Sequence, residues 1–214
     1  MTINDFDRNI GRKVARSRSM IISPVIMPVV KDRVKLPGRE KVALLSRVSR
    51  QALKVSADKS GVVLGMLMKD KRDVPLPFGN HYWSVSHKSR YVAAVVSEAI
   101  VGIDIEEIKH REASAFGYVA SDAEWELGGG KSLQNFFRCW TAKETVLKAL
   151  GVGIGGLKKC HITSVPDNDH ITLDYKGRLF QVEQIVHENH IVSVLNNGHE
   201  VHWIFPAMAA DKGL

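Results

Sequence analysis

The chain has 214 residues, and its 44% share of hydrophobic residues is ordinary for a soluble globular protein of one large or two small domains. A formal net charge of +7 predicts an anionic partner, which charge alone leaves open between nucleic acid, a membrane surface, a phosphorylated small molecule and an acidic protein. The longest apolar run, residues 20–30, contains two prolines and is too short to cross a bilayer, so we expect no membrane-spanning segment.

The two cysteines, Cys139 and Cys160, belong to no CxxC pair. This usage excludes a disulfide framework and a structural zinc site, and it predicts free thiols in a reducing compartment. We therefore expect a cytoplasmic protein. The basic residues from 8 to 18 are compatible with an organellar presequence, but Asp5 and Asp7 argue against one.

In chain order, residues 1–19 predict a loosely packed arm and residues 20–30 one or two short strands. A helix is predicted from Pro37, because apolar residues recur at steps of three and four: Val42, Leu45, Val48, Ala52 and Val55. The basic outer faces of this helix form a candidate docking or phosphate surface. Further on we expect a strand at 62–68, a charged turn, a proline-rich loop at 74–77 and an antiparallel set of three strands at 82–86, 91–97 and 100–106.

The second part of the chain predicts short helices at 113–119 and 121–127 and one long helix at 132–150. Hairpin turns are predicted at 175–178 and 196–198. Strands are expected at 161–165, 171–175, 179–186, 191–195 and 201–205. This order predicts an α+β fold of two similar halves, residues 1–101 and 102–214, each an antiparallel sheet with one long helix and the two related by a pseudo-twofold axis.

The long helix carries Glu144 and Lys148 four residues apart, so both side chains point into the same space. The pair is either a solvated salt bridge or half of an active site. Large apolar neighbours, among them Phe137 and Trp140, predict a mostly buried helix and therefore favour the active site.

A second feature is the acidic strand at 100–106, where alternation puts Asp104 and Glu106 on one face. Such neighbouring carboxylates indicate either a Mg²⁺ site or an exposed sheet edge that discourages strand pairing. Gly102 favours the metal site, because a missing side chain lets a ligand or another backbone approach closely.

A third feature is the strand end and turn at 83–90, which combines hydroxyl groups with positive charge and includes Ser86, His87 and Lys88. These groups are suited to binding phosphate, although a lone histidine in a turn is commonly just solvated. The chain has no GxSxG motif, so a serine hydrolase is not indicated.

Three strings occur in order: Ser84-Val85-Ser86-His87, Gly102-Ile103-Asp104-Ile105-Glu106 and Trp140-Thr141-Ala142-Lys143-Glu144-Thr145-Val146-Leu147-Lys148. Together they resemble the motifs of the 4′-phosphopantetheinyl transferase superfamily, and the length and two-half layout resemble its monomeric, surfactin-synthetase-activator class. The resemblance implies transfer of phosphopantetheine from coenzyme A to a serine of an apo carrier protein, with release of adenosine 3′,5′-bisphosphate.

By this resemblance Asp104, Glu106 and Glu144 would hold Mg²⁺ against the coenzyme A pyrophosphate. Glu144 would also accept the proton of the serine, and Lys148 would steady the pyrophosphate and protonate the departing phosphate. His87 and Ser86 match positions at the nucleotide phosphates, where Lys88 or Arg90 would add positive charge.

The chain departs from the family pattern at two places. The family's Gly-Lys/Arg-Pro element has its nearest counterpart at 71–75, which lacks the glycine and displaces the proline, so Lys71 and Arg72 are the candidate 3′-phosphate ligands. A family serine after the histidine is replaced by Lys88.

The resemblance implies that the partners are coenzyme A and an acidic acyl, peptidyl or aryl carrier protein, with no nucleic acid and no membrane. Two alternatives remain from the residues themselves. One is a basic nucleic-acid-binding module with a structural acidic cluster, and the other is a non-catalytic relative that binds coenzyme A or a carrier.

Overall fold

A computed structural model describes residues 20–29, 38–88 and 90–206. The predicted arm at 1–19 and the predicted helix start at Pro37 lie outside these residues. The helices are α1 Gly38–Lys59, α2 Ala113–Val119, α3 Asp122–Leu127, α4 Leu133–Leu150 and a 3₁₀ helix Ile154–Lys159. The strands are β1 Ile21–Ile22, β2 Val25–Pro28, β3 Met68–Lys69, β4 Pro75–Leu76, β5 Tyr82–Lys88, β6 Tyr91–Ser97, β7 Ile103–Glu107, β8 Cys160–Ser164, β9 His170–Tyr175, β10 Arg178–His187, β11 His190–Leu195 and β12 Glu200–Val201.

The first sheet has three antiparallel strands in the order β2-β6-β5, and α1 packs on it. Strand β6 is buried along its whole length, which explains its nearly unbroken apolar sequence. Helix α1 buries Leu45, Val48 and Ala52 against the sheet, as their spacing predicts. Val42 was expected on the same face but is 67% exposed, because the buried stripe is completed by Leu44 and Leu53 instead.

The second sheet has five antiparallel strands in the order β7-β11-β10-β9-β8, and α4 packs across it. The predicted turn between β9 and β10 is confirmed: Tyr175 and Arg178 pair, while Lys176 and Gly177 have positive φ, as a tight two-residue hairpin requires. The fold is therefore α+β with antiparallel sheets, as predicted. The pseudo-twofold relation and the division at residue 101 stay predictions.

Several predicted elements are wrong. Residues 62–67 form no strand, and the predicted loop at 74–77 contains β4, which pairs with β3. Strand β7 does not join β5 and β6 in one sheet but pairs with β11. The turn at 196–198 does not form a hairpin, because β12 is only two residues long and pairs in parallel with β1 near the other end of the chain.

The two sheets meet where β5 and β7 lie side by side. Ser84 Oγ accepts a hydrogen bond of 3.2 Å from the Ile103 backbone N–H, so a side chain joins the strands where a backbone ladder would otherwise run. Gly102 lets α4 close over this seam, since a Cβ there would lie 2.1 Å from the Thr145 carbonyl oxygen. The sequence predicted that either a ligand or another backbone comes close to Gly102. The structure shows a backbone there, that of α4 at Thr145. In the described residues, no helix is long and apolar enough to cross a membrane.

Candidate active site

Helix α4 forms one wall of the seam. Ser132 caps its start by accepting a hydrogen bond of 3.1 Å from the Asn135 backbone N–H, and Gly151 ends it in a left-handed conformation with φ of 62°. One face of the helix is buried in the core, as predicted from its large apolar residues. The opposite face carries Glu144 and Lys148 towards β7.

Lys148 does not form a salt bridge with Glu144 but binds across the seam. Its ammonium Nζ lies 2.6 Å from Asp104 Oδ1 on β7 and 2.9 Å from Ser86 Oγ on β5. Ser86 in turn donates a hydrogen bond of 2.8 Å to Asp104 Oδ1. This triad joins β5, β7 and α4. Its carboxylate is buried, with Asp104 4% exposed, which strengthens the hydrogen bonds it accepts, while the Lys148 side chain is 31% exposed and reaches solvent. The interpretation of Asp104 as part of an exposed sheet edge is therefore wrong.

Glu106 lies two residues further along β7 and contacts Lys88 at the end of β5. The distance from Lys88 Nζ to Glu106 Oε2 is 2.6 Å, so the two groups form an ion pair. Their angles do not meet those of a hydrogen bond. The side chains are 30% and 14% exposed, respectively, so the pair is only partly hydrated. Each of the two strand carboxylates thus has its own lysine.

Glu144 forms no ion pair with a lysine among the described residues. Its Oε1 is buried and accepts no hydrogen bond from the described residues, and the same is true of Asp104 Oδ2. Burial raises the pKa of the Glu144 carboxyl above its usual range, and the negative charges of Asp104 and Glu106 add to the increase, while Lys148 opposes it.

The chemistry of this donor set fits a hard divalent cation, because buried carboxylate oxygens without hydrogen bonds are the ligands that such an ion prefers. The charges of Asp104 and Glu106 both act on Glu144, so the three carboxylates lie near one another. Within residues 20–29, 38–88 and 90–206, however, no three His, Cys, Asp or Glu side chains stand at ligand spacing. The assignment of the three carboxylates as metal ligands stays a prediction.

His87 lies one residue beyond Ser86, and only part of its side chain is covered by the protein. Partial burial lowers the pKa of His87, and repulsion from Lys148, Lys41 and Lys69 lowers it further. Lys41 belongs to the basic helix that was predicted as a candidate docking or phosphate surface, whereas Lys69 was not predicted at this site. They come from α1 and β3, and no spacing in the sequence could have shown that both lie near His87. The three lysines make the mouth of the seam electropositive, which suits a phosphate ligand.

Lys71 and Arg72 are exposed residues of the loop between β3 and β4. Arg72 is exposed and pairs with Asp70 at 3.4 Å, and no hydrogen bond or ion pair among the described residues links either basic residue to the seam. The loop is nevertheless anchored beside α4, because Val74 packs where a side chain at Gly151 would lie. Their assignment as 3′-phosphate ligands stays a prediction.

The lysine directly before Glu144 faces the opposite side of α4. Lys143 Nζ lies 2.6 Å from Glu124 Oε1, and the two side chains are 3% and 9% exposed. Glu124 also caps α3 with Ser121 and accepts a hydrogen bond from the Ile162 backbone N–H. Lys143 therefore ties α4 to α3 and β8. Sequence reasoning missed this buried pair, since its members are 19 residues apart on different helices.

These positions agree with the comparison with known families. The model of the 4′-phosphopantetheinyl transferase superfamily matches residues 100–201. This match includes β7, α4 and four of the residues at the seam: Asp104, Glu106, Glu144 and Lys148. The remaining predicted site residues, among them Ser86, His87 and Lys88, precede the part of the chain that matches the superfamily.

Two relatives carry transferase names. A predicted 4′-phosphopantetheinyl transferase of Haemophilus influenzae is 30% identical over 146 residues, which cover 63% of this chain and 61% of the relative. The L-aminoadipate-semialdehyde dehydrogenase-phosphopantetheinyl transferase of Pongo abelii is 32% identical over 124 residues, covering 51% of this chain and 40% of the relative. The chain thus spans about three fifths and two fifths of the length of these two relatives of the superfamily.

Proposed function

We propose that this protein transfers the 4′-phosphopantetheine group from coenzyme A to a serine of an apo carrier protein. The observation that carries the proposal is the convergence of Asp104, Glu144 and Lys148 at the seam between β7 and α4. The superfamily match over residues 100–201 and the names of both relatives support it.

In the proposed reaction, the serine oxygen of the carrier forms a bond to the phosphorus that bears the pantetheine arm. The bond from that phosphorus to the bridging oxygen breaks, and adenosine 3′,5′-bisphosphate leaves. Glu144 is the group suited to accept the serine proton, because its raised pKa makes it a stronger base than an exposed glutamate. Lys148 presents an ammonium group at the same seam, where it can hold the pyrophosphate and return a proton to the leaving phosphate.

Asp104, Glu106 and Glu144 are the residues that would hold Mg²⁺. When bound, such an ion supplies positive charge against the phosphate oxygens during phosphoryl transfer. The fit rests on the buried acceptor oxygens of Asp104 and Glu144, which the described residues leave without hydrogen bonds. Ser86 holds Asp104 and Lys148 in place.

Coenzyme A is proposed to enter at the mouth of the seam beside His87, where Lys41 and Lys69 supply positive charge. Its phosphates suit this surface, and Lys71 and Arg72 are the proposed contacts for the 3′-phosphate. The net charge of +7 suits a carrier protein with an acidic surface. Because one relative is named for L-aminoadipate-semialdehyde dehydrogenase, a carrier domain of that kind belongs among the candidate acceptors beside acyl, peptidyl and aryl carriers.

The finer assignments are part of the same proposal. A monomer of the surfactin-synthetase-activator class, built from two halves divided at residue 101, is supported by two sheets that each carry one long helix. A cytoplasmic location is supported by Cys139 and Cys160, which are both free and buried. Light scattering during size-exclusion chromatography measures the molar mass in solution and so tests whether the protein is a monomer.

The test is intact-mass spectrometry of a panel of apo carriers after incubation with the protein, coenzyme A and Mg²⁺. We expect a gain of one phosphopantetheine on at least one carrier. Glu144→Gln should slow transfer by at least about 100-fold, the scale of a lost general base, while Glu200→Gln, at an exposed carboxylate, should leave it unchanged. No mass gain on any carrier from folded protein would refute the proposal. Salt-sensitive DNA binding without affinity for coenzyme A would favour the nucleic-acid-binding module instead.

A further inference from the structure

Two ammonium groups stand against the carboxylates that are proposed to hold the metal. Lys148 lies 2.6 Å from Asp104, and Lys88 lies 2.6 Å from Glu106. Lys148 is part of the motif that carries the family resemblance, whereas Lys88 replaces a serine of the family pattern. The contact between Lys88 and Glu106 is therefore a feature of this chain that the proposed function does not use.

The strand register builds this contact into the fold. Residues two apart on a strand point to the same side, so Ser86 and Lys88 leave β5 together, and Asp104 and Glu106 leave β7 together. Ser86 meets Asp104 and Lys88 meets Glu106. Because both side chains of the Lys88–Glu106 pair are largely covered, their attraction is less screened by water than that of a surface pair.

A divalent cation and the Lys88 ammonium group need the same carboxylate. A cation that binds Glu106 must displace the ammonium or share the carboxylate with it at close range, and the two positive charges repel each other. A serine at residue 88 would impose neither cost. Resting on the proposed function, we propose that Lys88 is an internal counter-ion of Glu106 that competes with the divalent cation and weakens its binding to the coenzyme-A-free protein.

The test measures binding of Mn²⁺, an electron-paramagnetic-resonance-active probe for the Mg²⁺ site, to the full chain without coenzyme A. Lys88→Met keeps an unbranched side chain of similar length and removes the charge. We expect it to bind Mn²⁺ at least about tenfold more tightly than the unmodified protein, the scale on which neighbours of metal ligands change affinity. Lys88→Arg keeps the charge and should bind no more tightly than the unmodified protein.

Arg90→Met is the matched control. Arg90 lies two residues away and pairs with Glu188 at 3.4 Å, so this variant loses the same net charge without freeing Glu106. Its Mn²⁺ affinity should stay within about twofold of that of the unmodified protein, because a more distant exposed charge is screened. Thermal unfolding gives a second measurement: Mn²⁺ should raise the midpoint of Lys88→Met more than that of the unmodified protein.

Asp104→Asn tests the metal site separately from the competing role of Lys88. If Asp104→Asn weakens Mn²⁺ binding but Lys88→Met binds Mn²⁺ no more tightly than the unmodified protein, the competing role of Lys88 is wrong and the metal site stands. An equal gain in Lys88→Met and Arg90→Met would likewise overturn the specific role, since net charge would then explain it. If Asp104→Asn leaves the Mn²⁺ affinity unchanged both in the unmodified protein and in Lys88→Met, the three carboxylates are not the metal site. That part of the proposed function then fails as well.

Discussion

Replacing Lys143 by methionine tests whether the family motif contains a structural lysine beside its catalytic candidates. The substitution keeps the unbranched side chain but removes the ammonium group from Glu124 Oε1, which lies 2.6 Å away. Glu124 is then left as a buried carboxylate without its counter-ion. Because Lys143 faces away from Asp104 and Lys148, we expect the main loss to be in stability.

The expected loss is at the lower end of the range for a broken buried ion pair, about 3 kcal/mol. The lower end applies because Glu124 keeps hydrogen bonds from the backbone N–H groups of Ser121 and Ile162. For a chain of this size each kcal/mol shifts the unfolding midpoint by about 2–4 °C, so the midpoint should fall by about 6–12 °C.

Urea and thermal unfolding measure this loss. Lys131→Met is the matched control, since Lys131 forms a pair of similar length, 2.7 Å, with Asp122, but on the exposed surface, where water screens the two charges and the pair contributes little to stability. The double variant Lys143→Met/Glu124→Gln should recover part of the stability, because no uncompensated charge remains buried. A loss from Lys143→Met no larger than that from Lys131→Met would refute the reasoning.

The same pair predicts a pH dependence. Burial alone raises the pKa of Glu124, but the hydrogen bond from Lys143 and those from the Ser121 and Ile162 backbone outweigh burial, so the net pKa is lowered. The contribution of Glu124 to stability is therefore present above its unfolded value, about 4.5, and is lost as the pH falls through the lowered folded value. The free energy of unfolding of Glu124→Gln should depend less on pH in that acidic range than that of the unmodified protein.

Three further predictions concern other parts of the molecule. Gly102→Ala should lower the free energy of unfolding, measured in urea, by about 1–3 kcal/mol or more, since the added Cβ would lie 2.1 Å from the Thr145 carbonyl oxygen. A variant as stable as the unmodified protein would show that β7 and α4 can move apart there. Burial lowers the pKa of His190, which is 0% exposed, so stability should fall as the pH drops below about 6.5, by up to about 1.4 kcal/mol per pH unit, and this slope should be smaller in His190→Leu. Transfer to a carrier should slow as ionic strength rises, and a rate unaffected by salt would contradict charge-steered docking.

Local patterns in the sequence predicted most helices and strands. Helix α4 was placed to within one residue, because its start cap, apolar spacing and terminal glycine all act within a few residues of one another. The longer strands that pair with their neighbours in the chain, β5 with β6 and β8 to β11, were found for the same reason, whereas the two-residue strands β3 and β4 were missed. Strand β7 was found but given the wrong partners, since its edge lies beside β5 while its backbone hydrogen bonds go to β11, about 85 residues later.

The candidate site likewise has residues that local patterns predicted and contacts that only packing decides. Asp104, Glu106, Glu144 and Lys148 were identified from two short motifs, since the strand and helix periods fix which of them share a face. The helix alone left open whether Glu144 and Lys148 form a solvated salt bridge, and the structure shows that Lys148 pairs with Asp104 instead. A salt bridge four residues apart was one local possibility, but packing of α4 against β7 brings Lys148 to the buried Asp104, which also accepts a hydrogen bond from Ser86.

The sequence by itself determined the fold class, the long helix and the acidic strand, because periodicity and capping act between near neighbours in the chain. Only the tertiary structure decided how charges are paired. It gave Lys148 to Asp104, Lys88 to Glu106 and Lys143 to Glu124, and it left Glu144 with a buried oxygen that accepts no hydrogen bond from the described residues. The physical reason is that the cost of a buried charge depends on the groups around it in space, and those groups come from strands and helices that only packing brings together.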